Sequence, residues 1–225
     1  MPTLKLKEQN TYIFIDASNI RSACLKTCGF RIDFRELGKY FRQKYPKLVD
    51  MRYYEGIAKD DIKRKRAHRA LHRAGYTVCP LERKSYIVPA ECMPVKCEEC
   101  GHESFVTIHG ETTTVKSNVD VYLATDMIFT AVESKDKPIH IILVSCDGDY
   151  AETIKSILEK YNRAHLTVLA TPYLKGSGSN TLSSRIKSLR NFSDRFFLRN
   201  IENIRPKIEA SNKHDKLHQN RGGAE

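Results

Sequence analysis

Apolar positions along the chain follow two alternating periods, and the alternation predicts a mixed α/β protein. Thr11 to Ile15 (TYIFI) is a short, β-rich apolar run of the kind a strand covered on both faces shows. It ends at Asp16, after which Ser18 or Asn19 caps a helix closed by Gly29. A second helix is expected over Phe34 to Tyr45, with Asp33 as its cap and Pro46 as its stop. Val49 to Tyr54 reads as a strand. Lys59 to Ala74 reads as a basic amphipathic helix, with Ile62, Ala67, Ala70, Leu71 and Ala74 inward and Gly75 at its end. Thr77 to Leu81 is a third strand.

Residues 82–115 break this rhythm. Alternating stretches around Ser85–Val88 and Phe105–His109 flank a Cys-rich turn, which predicts a small β insertion. Helical spacing resumes from Asn118 to Glu133, placing Val121, Ala124, Ile128 and Ala131 on one face with Leu123 and Met127 beside them. Pro138 to Ser145 (PIHIILVS) is the strongest buried strand. A helix over Asp149 to Lys160, a strand over Leu166 to Ala170, a flexible loop at Gly176 to Ser179 and a helical stretch from Leu182 to Asn191 follow. The tail, residues 205–225, lacks an apolar period and is expected to be disordered. Alternating strands and helices imply a parallel sheet with helices on both faces, and in such sheets ligands bind beyond the carboxyl ends of the strands. Asp16 and Asp147 both fall there.

Composition adds a partner class. The 225 residues, 40% of them hydrophobic, suffice for one substantial core. No apolar run has the length to cross a bilayer, and residues 1–10 lack the apolar stretch of a signal peptide, so a cytoplasmic protein is expected. Of the net charge of +11, residues 58–75 hold seven basic side chains (Lys59, Lys63, Arg64, Lys65, Arg66, Arg69, Arg73) against Asp60 and Asp61. Residues 181–207 hold seven more (Arg185, Lys187, Arg190, Arg195, Arg199, Arg205, Lys207) against Asp194 and Glu202. The remainder is nearly neutral. Two basic patches on a balanced chain point to a polyanion; the bland alternative is a pair of solvated helix faces.

Four acids supply candidate chemistry. Hydrolysis of a phosphodiester by hard divalent ions needs several carboxylates on one rim. Each acid also has an ordinary reading. Asp16 is a turn residue after a strand, and Asp149 with Glu152, or Ser117 with Asp120, has capping-box spacing. Asp147 precedes any cap, and the ordinary readings weaken when all four must reach one sheet end. Asp126 lies six positions after Asp120, about 120° around the helix, and is assigned a supporting or structural role. Asn19 and Lys116 are further supporting candidates, to hold Asp16 or a phosphate.

FIDASN (Phe14 to Asn19), KSNVDVYLATDM (Lys116 to Met127) and LVSCDGDY (Leu143 to Tyr150) resemble, in order and spacing, the three motif blocks of NYN domains, a branch of the PIN-like nucleases. The resemblance spans residues 10–204. It implies a PIN-like three-layer α/β/α sandwich and a Mg²⁺- or Mn²⁺-dependent ribonuclease leaving a 3′-hydroxyl and a 5′-phosphate. By the match, Asp16 is the first-strand acid, Asp120 the helix acid, and Asp147 and Asp149 the pair after the fourth strand. Ser117 and Cys146 stand where the family commonly has Gly, and Cys lacks glycine's backbone freedom.

In the insertion, Cys97-Glu-Glu-Cys100-Gly is a CxxC turn that aims two thiolates at one Zn²⁺. Cys92 is the expected third ligand, and His102 or Cys79 the fourth, making a structural staple for a segment with little core. The alternative is a set of unremarkable reduced cysteines. Cys24, Cys28 and Cys146 read as buried apolar residues, and His68 and His72 as a solvated face. RNA contacts are expected from Lys63, Arg64, Arg66, Arg69, Arg73, Arg185, Lys187 and Arg190. Tyr53, Tyr54, Tyr86 or Tyr150 are candidates to stack on bases. A non-catalytic RNA-binding or adaptor module on the same fold competes with the nuclease. A phosphatase suits less of the sequence, because Asp147-Gly-Asp149 lies late in the chain.

Overall fold

The computed structural model describes residues 6, 8–134, 137–172 and 182–210. At its centre, β1 (Asn10–Asp16), β2 (Leu48–Ile57), β3 (Thr77–Glu82), β8 (Ile139–Val144), β9 (Ala164–Ala170) and β10 (Phe196–Asn200) form one sheet in the order β10-β9-β8-β1-β2-β3, every pairing parallel. The two central strands, β1 and β8, run in register from Asn10↔Ile139 to Ile15↔Val144, so their carboxyl ends finish together. Every residue of β8 is buried, as its unbroken apolar run requires when helices cover both faces.

On one face lie α1 (Ala17–Ala23), α2 (Phe34–Lys44) and α3 (Ile62–Arg73); on the other lie α4 (Val119–Glu133) and α5 (Ala151–Lys160). Adjacent residues of β2 report the division: the Tyr53 hydroxyl meets Arg21 of α1, and the Tyr54 hydroxyl meets Asp126 of α4. The helix over α2 forms as its spacing dictates. Asp33 caps it, accepting from the Arg35 and Glu36 N–H groups, and Phe34, Leu37 and Phe41 are buried at i, i+3 and i+7. A short helix, α6 (Ser184–Ser188), packs beside the turn after β8, and α7 (Arg205–Ile208) closes the described chain.

Several expectations change. The cap of α1 is Asp16 itself, whose carboxylate accepts from the Asn19 N–H at 3.1 Å. The inward stripe of α3 is His68 and Leu71, while Ile62 is 63% exposed; a buried carboxylate at the end of β2 favours a polar inward residue there. On α4, Val119, Leu123, Met127 and Ala131 go inward and Val121 and Ile128 face outward, one step around the helix from the expected stripe. β10 was not expected, and the start of the supposedly disordered tail belongs to the fold: Ile208 is fully buried and the backbones of residues 32 and 209 bridge. The expected loop at Gly176 to Ser179 and residues 211–225 lie outside the described residues. The insertion holds four strands, β4 (Lys84–Val88) paired with β7 (Thr112–Lys116) and β5 (Glu91–Lys96) paired with β6 (Glu103–His109), both antiparallel.

Candidate metal centre

The carboxyl ends of β1 and β8 and the first turn of α4 converge. Asp16 is the last residue of β1, Asp120 lies in the first turn of α4, and Asp147 follows β8. One carboxylate oxygen from each falls within 4.8 Å of the other two. Among the described residues this is the one group of three or more acids, histidines or cysteines with metal-binding proximity.

Local structure fixes each acid. Asp16 is 3% exposed and tied by the Asn19 N–H. The Asn19 side chain accepts the Cys146 N–H at 2.8 Å, so one residue braces the first acid through its backbone and the loop bearing Asp147 through its amide. Asp147 caps the turn Gly148–Tyr150, accepting from the Asp149 N–H at 3.0 Å. Asp120 caps nothing; Asn118 occupies the N-cap of α4 without a side-chain bond, so the capping box with Ser117 does not form. Beneath the acids, the Tyr150 hydroxyl donates to Asp16 Oδ2 at 3.2 Å and Asp120 Oδ1 at 3.1 Å, one proton for two acceptors.

Electrostatically the cluster is unpaired. Among the described residues, none of the three acids makes a salt bridge to a basic side chain. Burial, with repulsion from Asp120 and Asp147 added, pushes the Asp16 carboxyl up to about 6 against the lowering bonds from Asn19 and Tyr150. Burial raises the Asp120 carboxyl as well, assisted by Asp147 and Asp149. Burial and the two flanking carboxylates hold the Tyr150 proton in place, so the phenol stays a donor. An all-oxygen donor set with surplus negative charge fits a hard divalent cation.

The other expected residues separate. Asp149 does not join the cluster; its side chain is 74% exposed and pairs with Arg185 at 3.4 Å. Asp126 accepts from the Tyr54 hydroxyl at 2.5 Å and pairs with Arg52 at 3.0 Å, a structural role as its helical position required. Lys116 sits at the base of the insertion opposite Lys84. Ser117 and Cys146 are both accommodated. A Cβ on Gly56 would meet the Ser117 Oγ at 2.2 Å, so the end of β2 packs directly on that serine, and the Cys146 sulfur lies 3.2 Å from the Thr171 hydroxyl. Of the tyrosines proposed to stack on bases, Tyr53, Tyr54 and Tyr150 are buried and only Tyr86 is exposed. On α3, Lys63, Arg66, Arg69 and Arg73 are exposed, whereas Arg64 leans on Glu55 at 3.4 Å. Arg185 stands at the rim between Asp149 and Glu152, and Lys187 and Arg190 line a shallow cleft with Arg199. A cavity of about 240 Å³ against α2 contains no acid among its lining residues and is not this site.

The zinc set expected from the sequence is not assembled among the described residues. Cys97 and Cys100 lie at the tip of the β5–β6 hairpin. Cys92 is five residues back along the strand, about 16 Å away at the rise of a β-strand, and Cys79 belongs to the main sheet. A CxxC turn at a hairpin tip leaves both strands leading away from it.

Two features escaped the sequence reading. Tyr150 was weighed as a base-stacking residue rather than as the donor between two acids. Glu55, 2% exposed, binds Arg21 at 2.6 Å and His68 at 2.8 Å, so His68 is buried rather than solvated. The available signal was the two-residue step from Tyr53, which puts Glu55 on the same inward face of β2.

A parallel α/β sandwich with acids gathered beyond the ends of its two central strands is consistent with a PIN-like fold. The NYN domain family matches residues 10–198, and the chain belongs to that family of PIN-like nucleases. A solved structure, VPA0982, a protein of unknown function from Vibrio parahaemolyticus, is similar with a TM-score of 0.56 and 22% identity, covering 86% of this chain and 94% of that one. That likeness concerns the fold. No curated protein matches the chain significantly.

Proposed function

We propose that this chain is a Mg²⁺- or Mn²⁺-dependent ribonuclease that cuts RNA internally, leaving a 3′-hydroxyl and a 5′-phosphate. The observation that carries the reading is the convergence of Asp16, Asp120 and Asp147 with no basic side chain paired to them among the described residues. Those three carboxylates would hold the metal. When bound, the ion supplies Lewis acidity to the scissile phosphate and makes a water acidic enough to attack at neutral pH. The chain's own residues do the positioning. Tyr150 keeps Asp16 and Asp120 at a fixed separation by donating to both. Asn19 holds the Asp147 loop against the end of β1. Arg185, on the rim, offers a bidentate donor to a flanking phosphate, and the exposed bases of α3 extend that grip along the strand. Asp149 serves beside the triad, steering Arg185, rather than within it.

The test is cleavage of a defined single-stranded or structured RNA by the purified chain with Mn²⁺ or Mg²⁺. Asp16→Asn and Asp147→Asn should each abolish cleavage while the fold survives. Equal cleavage by wild type and both variants would end the proposal. RNA binding without cleavage or carboxylate-dependent Mn²⁺ uptake would instead mark an adaptor on the same fold.

A further inference from the structure

The hairpin β5–β6 presents half of a metal site and half of a hydrophobic sandwich. At its tip the Cys97 N–H donates to the His102 carbonyl and the Gly101 N–H to the Cys97 carbonyl, both at 2.9 Å, with Gly101 at φ +70°. This closed turn leaves Cys97 and Cys100 exposed side by side. Backbone N–H groups of Cys100 and Glu99 donate to the Cys97 sulfur and fix its position in the turn. A turn of this kind supplies two sulfurs to a metal, and structural zinc closes with four protein ligands. The other cysteines of the chain cannot complete it. Cys92 is a strand length away, Cys79 lies in the main sheet, and Cys24, Cys28 and Cys146 lie in the body of the domain.

The ribbon behind the tip is also incomplete. Met93 and Val106 are direct cross-strand partners, so Met93, Val95 and Val106 share one face, and all three are at least 40% exposed. A two-stranded ribbon is marginal alone and needs cover on such a face. A second copy related by a twofold axis supplies both missing halves at once: two more sulfurs at the tip and the same apolar face behind it.

We infer that two copies of this chain share one zinc ion through Cys97 and Cys100 of each, with the apolar faces of their hairpins packed together.

The test uses the full chain purified with zinc under reducing conditions. Elemental analysis should give one zinc for every two chains, and light scattering should give a dimer. A strong chelator should return both to monomer and no zinc. Cobalt substitution should give the visible absorption of a tetrahedral tetrathiolate site. Cys97→Ser/Cys100→Ser should remain a folded monomer by circular dichroism and hold no zinc. Four results would each overturn the inference: a monomer with one zinc per chain, no zinc at all, a dimer that persists in the double variant, or a dimer broken by reductant alone. Should the double variant fail to fold, the stoichiometry and the cobalt spectrum of wild type still decide the matter.

Discussion

Asp16→Asn should make the metal-free protein more stable while removing its response to metal. In the fold, burial, together with repulsion from Asp120 and Asp147, pushes this carboxyl from 3.8 up to about 6. Between those two values the folded chain binds more protons than the unfolded chain, so stability falls as pH rises through the window. Above it, keeping Asp16 ionised costs about 3 kcal/mol. Asparagine has nearly the same shape and no charge, and its carbonyl oxygen still accepts from the Asn19 N–H, so the cap on α1 survives. The net gain should be about 1–3 kcal/mol at about pH 7.5, a rise of roughly 2–10 °C in Tm for a domain of this size. It should vanish near pH 4, where wild-type Asp16 is itself neutral in the fold. Millimolar Mn²⁺ should raise the wild-type Tm, because the ion binds only the folded state, and should leave the variant nearly unmoved. Thermal melts at the two pH values, in chelator and in Mn²⁺, measure all of this. A variant less stable than wild type in chelator at the higher pH would refute the charge-crowding account. Equal Mn²⁺ shifts in both proteins would refute the metal centre.

Other substitutions separate the remaining roles. Asp149→Asn should slow Mn²⁺-dependent cleavage by about tenfold or less, against abolition for Asp147→Asn; equal losses in single-turnover assays would return Asp149 to the metal ligands. Burial raises the Glu55 carboxyl, but hydrogen bonds from Arg21 and His68 and the charges of Arg21 and Arg64 bring it below its ordinary 4.5. Glu55 therefore contributes stability present above that value and lost as pH falls through the folded one. Glu55→Gln should cost about 1–3 kcal/mol at neutral pH, Arg21 and Arg64 being partly solvated, and should flatten the acid limb of urea denaturation curves; unchanged stability at neutral pH would remove the network from the account. Arg66→Ala/Arg69→Ala/Arg73→Ala should shrink the slope of log affinity against log salt for single-stranded RNA by about 0.7 per lost phosphate contact, and an unaltered slope would take α3 out of the RNA path.

The layered fold was legible because β1 and β8 are covered on both faces, so their sequences are apolar without alternation. The acids were legible as candidates because strand ends mark a place in space before any coordinates exist. Stripe assignments failed where polar partners decided the matter. His68 is inward because Glu55 waits at the end of β2, a contact between elements that no helical period encodes. β10 escaped because Phe196 and Phe197 sit among charged residues, and an edge strand has one flank open. The expected zinc set does not gather among the described residues for a related reason: proximity in sequence is not proximity in space, and a hairpin carries Cys92 away from Cys97 at the full rise of a strand.

The three acids of the rim differ in how much of the fold rests on them. Asp16 caps α1 and Asp147 caps the turn that begins α5, so both would be accounted for by local structure alone. Asp120 has no such duty. Among the described residues it caps nothing, pairs with no base and makes one hydrogen bond, to a phenol already shared with another carboxylate. A half-buried acid with a raised pKa and no structural task is a net cost to stability. Glu55 shows how this same chain treats a buried acid when structure is the purpose, surrounding it with Arg21, Arg64 and His68. The absence of any such partner for Asp120 among the described residues, with Asp16 and Asp147 brought to its side, supports a charge kept open for a cation from solution.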